Sequence, residues 1–244
     1  MGFTNGGFSG TGGSNTSIGS GGIADSTKIN IEEVPYTTPS DANITNVKDA
    51  LDSLFYTPPS INSFTISPNT VEKGTVITDI TFNWGTNKNV VSQSINQGIG
   101  EILNTLRTYS LSGLNITGDI SYSLTISDNK NTANRSSSIS FRNKRYWGVS
   151  NLASLNNGDI LSLSNSELST SKSQSKTFNT SNQYIYFAFP SSFGNPTFKV
   201  NGLDNDAWIK TTILFTNSKG YKENYDVYRS EFLQNGIGIT VDVT

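Results

Sequence analysis

The chain has 244 residues, 34% of them hydrophobic and 15% charged, with a formal net charge of −2 and neither Cys nor His. That composition excludes disulfides, zinc sites built on Cys or His, and Ser-His or Cys-His nucleophile pairs. It lacks the basic balance of a nucleic-acid binder, and no apolar run reaches the ~20 residues that a bilayer-spanning helix needs. Neither nucleic acid nor membrane insertion is therefore expected. Hydrophobic residues fall below the ~45–50% of an average globular chain, and Asn, Ser, Thr and Gly make up the difference. Short strands with polar outer faces and many turns fit this balance. The N-terminus has no basic stretch followed by an apolar one, so no secretory signal is expected. The sequons at Asn43, Asn115 and Asn134 are read as chance products of the composition.

Residues 1–43 form a Gly-rich N-terminal arm, densest over residues 1–28, that cannot build a core of its own. Phe3, Phe8 and Ile18 are its sparse apolar anchors, and the arm is expected to order on a partner. Residues 29–36 allow one short edge strand ended by Pro35. Residues 44–55 read as a helix, in which Ile44, Val47, Leu51 and Leu54 fall at spacings of three, four and three, the seam of a coiled coil. Pro58 and Pro59 stop it. A dozen helical residues are marginal alone, so the stripe either lies on the chain's own β region or meets copies of itself. Its narrowness, opposite Lys48, Asp49, Asp52 and Ser53, favours copies.

Residues 60–145 alternate apolar and polar positions between turns. Ile61, Phe64 and Ile66 begin the pattern; Ile80, Phe82 and Trp84 continue it; Ile120, Tyr122, Leu124 and Ile126 give its cleanest period of two; Ile139 and Phe141 follow. Short strands with turns every 8–12 residues are the pattern of an Ig-like β-sandwich, with Trp84 and Tyr122 as core residues. The run Arg142, Asn143, Lys144, Arg145 is expected to cap a strand end.

Residues 146–244 predict a second β-sandwich. A short helix and loop fall near Ile160, Leu161, Leu163 and Leu168. Strands follow at 184–190, 197–200, 208–215, 225–229 and 236–243. Tyr184–Phe189 is apolar on both faces, as a doubly buried central strand would be. The expected fold class is thus mainly β: a Gly-rich arm and a short coiled-coil-like helix and Pro linker (44–59), then two sandwiches, the first Ig-like.

Ile44-Thr45-Asn46-Val47-Lys48-Asp49-Ala50-Leu51-Asp52-Ser53-Leu54 resembles the T-N-V-x-x-A-L-D-x-L helix of tailed-phage fibres and appendages. Phe141–Gly148 and the later phrases Tyr184–Pro190, Thr197–Leu203, Phe215–Tyr221 and Tyr225–Arg229 resemble, in that order, virion proteins of phages infecting Bacteroides-type hosts, crAss-like phages included. The resemblance implies a non-enzymatic virion subunit that trimerises through the helix. It further implies attachment to capsid or tail and collar proteins by its N-terminal segment, and projecting β domains. The alternative is a receptor-binding module contacting host surface glycan.

A glycosidase needs two carboxylates ~5–9.5 Å apart. Asp204 and Asp206, with Trp208 nearby to stack a sugar, are the candidate ligand contacts, and Glu223 and Asp226 lie further on. Asx-rich turns produce such pairs routinely. Asp204, Asn205 and Asp206, like Asp128 with Asn129 and Asn131, offer oxygens without the spaced acidic set of a calcium loop. Gly236 and Gly238 read as a strand bulge. No catalytic residue, metal ligand or cofactor is expected.

Overall fold

The computed structural model describes residues 47–244. Their contacts separate a unit ending at Thr57 from the unit Pro58–Thr244. In the first, α1 (Val47–Leu54) is followed by Phe55, whose N–H donates to the Leu51 carbonyl at 2.9 Å. Phe3, Phe8, Ile18 and Ile44, and the edge strand expected at 29–36, lie outside the described residues.

The second unit is almost entirely β. Its first part contains β1 (Ile61–Ser67), β2 (Thr70–Glu72), β3 (Ile80–Thr86), β4 (Ser92–Ile95), β5 (Gly100–Ile102), β6 (Thr108–Leu111), β7 (Ile120–Ser127) and β8 (Thr132–Ser150). Strands β1, β3 and β6 form one antiparallel sheet. The facing sheet runs β8-β7-β4-β5, with β2 parallel to β8 through Val71 and Phe141. Period-two alternation sends Phe64, Phe82 and Trp84 from one sheet and Tyr122, Leu124, Ile126 and Ile139 from the other into a shared core. Phe82 meets Tyr122 edge-on at 5.0 Å. Trp84 and Tyr122 are thus core residues, and the Trp84 Nε1–H is satisfied by buried Gln93 at 3.1 Å.

The second part contains α2 (Asn157–Leu161), β9 (Asn165–Ser169), β10 (Gln174–Pro190), β11 (Phe198–Val200), β12 (Leu203–Asp204), β13 (Trp208–Thr216), β14 (Lys222–Ser230) and β15 (Gln234–Val243). Its central sheet is ordered β13-β14-β10-β8-β9. A second sheet, β10-β15-β11-β12, starts from the N-terminal half of β10. Along Tyr184–Phe189 the two faces serve two cores. Ile185, Phe187 and Phe189 pack towards the second sheet with Phe198, Val241 and Val243. Tyr186 and Ala188 pack with Leu155 and Ile160 from the α2 segment. The expected double burial of this strand follows from that three-layer arrangement. Asn156 caps α2 reciprocally with Asp159.

One expectation is corrected. Arg142–Arg145 does not cap a strand end; it lies inside the 19-residue β8, which crosses from the first core to the second. Three of its side chains reach a carboxylate from elsewhere in the chain: Arg142 with Asp119 at 2.9 Å, Lys144 with Glu72 at 3.3 Å and Arg145 with Glu167 at 2.6 Å. Asn143 Nδ2 donates to Glu223 at 2.7 Å. The polar run is tolerated mid-strand because each residue finds a partner, and Asn143 with Glu223 and Lys144 with Glu72 do so where the two β regions meet.

That meeting is stitched rather than hinged. Lys73 N–H donates to the Arg142 carbonyl at 2.9 Å, and Asn217 Nδ2 donates to the Lys73 carbonyl at 2.8 Å. Ser218 Oγ donates to Glu72 at 3.1 Å. Gly74 has φ +88°, and a Cβ there would stand 2.9 Å from the Tyr221 Cβ, so glycine permits the close approach.

Candidate functional site

Helix α1 places Leu51 and Leu54 three residues apart, on one face. Leu51 is 38% exposed, Leu54 75%, and Phe55 just beyond the helix 74%. Three large apolar side chains within five residues therefore face solvent in the single chain. An eight-residue helix is too short to persist on propensity alone.

The residues proposed for ligand contact are neighbours in sequence, but their functional groups diverge. Asp204 lies on β12 with its carboxylate exposed, 3.6 Å from Lys199 Nζ. Asp206 is exposed, and its carbonyl accepts the Trp208 N–H at 2.8 Å. The Trp208 ring turns inward, stacked on Phe198 at 4.1 Å and 5.7 Å from Phe187. It belongs to the inter-sheet core, and the cavity beside it holds about 90 Å³.

Glu223 and Asp226 are tied into structural pairs. Asp226 is 2% exposed and accepts from Ser191 and Thr212, both at 2.7 Å, while Lys210 Nζ lies 2.7 Å from its other oxygen. Burial opposes its ionisation, but Lys210, Ser191 and Thr212 outweigh burial and hold the carboxyl below its ordinary range. The same contact raises Lys210. Glu223 accepts from Asn143 at 2.7 Å and Ser192 at 3.1 Å, and Lys73 lies 3.5 Å away. Asp128 accepts from the backbone N–H of Lys130 and Asn131, an Asx turn, and pairs with Lys88 at 2.6 Å. Among the described residues there is no group of three or more acidic side chains placed to hold a metal ion. Nor is any described helix long and apolar enough to cross a membrane.

Sequence reasoning missed the charge network at the meeting of the two β regions. Its signal was the basic run itself: four consecutive polar residues between the apolar Phe141 and Tyr146 require partners, but their partners are up to 80 residues away in sequence.

Together the elements define a mainly β chain with sandwich-packed sheets. No protein-family model matches the chain, and no curated protein matches it. Among solved structures, it is similar to the N-terminal eight Ig domains of Down syndrome cell adhesion molecule, at 11% identity and a TM-score of 0.24 over 76% of this chain and 26% of that one. It is also similar to a tandem pair of titin Ig domains, at 8% identity and a TM-score of 0.23 over 76% and 94%. The chain spans about a quarter of the length of the first. Superpositions this loose assign no activity.

Proposed function

We propose that this chain is a non-enzymatic structural subunit of an oligomeric phage appendage, with Ig-like β-sandwich modules projected from an N-terminal attachment segment. The trimer forms by packing of α1 against its copies, and the residues before it dock on other virion proteins. The observation that carries this reading is the solvent-facing apolar stripe of Leu51, Leu54 and Phe55. A coiled-coil-like seam buries such side chains at about 0.8 kcal/mol per CH₂, a gain repeated at every position of a symmetric bundle. The β region supports it: one strand, β8, contributes to both cores, and ion pairs stitch their meeting, which suits a stiff projecting arm. The involvement of Glu72, Glu223 and Asp226 in hydrogen-bonded pairs supports a structural use of these carboxylates. The test is the mass of the full chain in solution by sedimentation equilibrium, wild type against Leu51→Asp with Leu54→Asp. A trimeric wild type and a monomeric variant support the reading; a wild type that stays monomeric at high concentration refutes it.

A further inference from the structure

Where β2 and the β13–β14 turn meet β8, an open cleft of about 500 Å³ is walled by Tyr221, Phe141, Arg142, Asp119, Lys73 and Thr117. This volume falls inside the ~300–1,000 Å³ of small-ligand sites, which commonly lie where two packed regions meet. The cavity beside Trp208, at about 90 Å³, falls well below it. Another open cleft, of about 450 Å³ beside β5, has no aromatic wall and a single charged residue, Glu101.

We propose that the junction cleft binds one ring of a neutral saccharide, with Tyr221 as the apolar wall and the Asp119–Arg142 pair as the hydroxyl-binding edge. The backbone that carries the wall is held before any ligand arrives. The Tyr221 N–H donates to Asn217 Oδ1 and its carbonyl accepts the Asn217 N–H, both at 2.9 Å, and Asn217 is itself bonded to the Lys73 carbonyl. The residue remains 37% exposed, with Lys73 Nζ 5.3 Å from its ring centroid. The polar edge is equally fixed. Asp119 accepts from the Phe141 N–H at 2.6 Å and from Arg142 Nη1 at 2.9 Å. Those two donors hold its carboxyl below the ordinary range. Its side chain is nevertheless 57% exposed, so lone pairs are left for a ligand. Arg142 directs Nη1 to Asp119 and to the Phe141 carbonyl, leaving Nε and Nη2 as donors. A fixed acceptor beside a fixed donor matches two adjacent hydroxyls, and charge-assisted bonds of this kind are about twice as strong as neutral ones. Preorganisation lowers the ordering cost of binding.

The charge count selects a neutral ligand. Arg142 is compensated by Asp119, and Lys73 by Glu223 on its other side. A phosphate, sulfate or carboxylate would have to displace one of these carboxylates. Gly74 and Gly118 also line the cleft.

The inference goes beyond assembly, and it stands or falls independently of the oligomeric state. The test is saturation-transfer NMR on the full chain with the methyl pyranosides of glucose, galactose, mannose and N-acetylglucosamine at about 10 mM, suited to dissociation constants near ~1 mM. At least one pyranoside is expected to show saturated ring protons. Asp119→Ala and Tyr221→Ala should each reduce that signal about tenfold or more, equivalent to ~1.4 kcal/mol, while Asp204→Asn leaves it unchanged. Tyr221→Leu, which retains bulk without a ring, keeps the test decisive if alanine unfolds the turn. No signal from any pyranoside, or signal unchanged in the cleft variants, overturns the proposal. Displacement of the sugar by equimolar sulfate overturns the neutral class.

Discussion

Asp226 offers the sharpest test of whether the carboxylates of β14 stabilise the fold or do chemistry. Asp226→Asn keeps the shape but removes the charge that Lys210, Ser191 and Thr212 address, each at 2.7 Å. Hydrogen bonds to a charged group contribute ~1.5–3 kcal/mol each, but they are not additive. Lys210 is 39% exposed, so solvent screens its share. The net loss expected near pH 7 is about 2 kcal/mol, which for a chain of this size lowers Tm by roughly 4–8 °C. The folded-state pKa of Asp226 is depressed. Its stabilisation is therefore full above the unfolded value of about 3.9 and fades as pH falls through the lower folded value. The gap between wild type and variant, measured by urea unfolding, should be widest near neutrality and close in acid. A loss under about 0.5 kcal/mol near pH 7, or a gap that stays constant into acid, would refute the account. A carboxylate placed for catalysis gives the opposite sign, since relieving it commonly stabilises a protein.

Other perturbations follow from the same geometry. Gly74→Ala forces a positive φ on a side chain and drives its Cβ against Tyr221. It should cost about 1–2 kcal/mol in thermal unfolding and weaken pyranoside binding at the same time. Phe187→Ala empties a site of zero exposure between the sheets and should cost about 3–5 kcal/mol. Ala substitution at Asn217, whose side chain ties the β13–β14 turn to the Lys73 carbonyl and the Tyr221 N–H, should speed amide exchange in that turn while leaving the β10 amides protected.

Elements with clean alternation were readable from the sequence. Ile120–Ile126 is β7, and the two-faced apolar run at 184–190 is the shared centre of two cores. Other strands were invisible. Residues 174–183 and β9 are rich in Ser, Asn, Thr and Gln, and become strands only because β15 and β8 pair with them. Their hydrogen bonds are non-local, so no local period announces them. Trp208 shows the same limit at the candidate site. Beside two aspartates it looked like a sugar platform, yet Phe198, ten residues earlier, takes its ring. The junction cleft was equally hidden, because Asp119, Arg142 and Tyr221 come from three separate stretches of chain.

The stripe on α1 carries the functional reading, and solution mass addresses it most directly. Sedimentation equilibrium of the full chain should return three times the 26.4 kDa of one copy, and a single copy once Leu51 and Leu54 are both aspartate. A wild-type mass of one copy across the concentration range, or a variant that still associates, would contradict assembly through this helix.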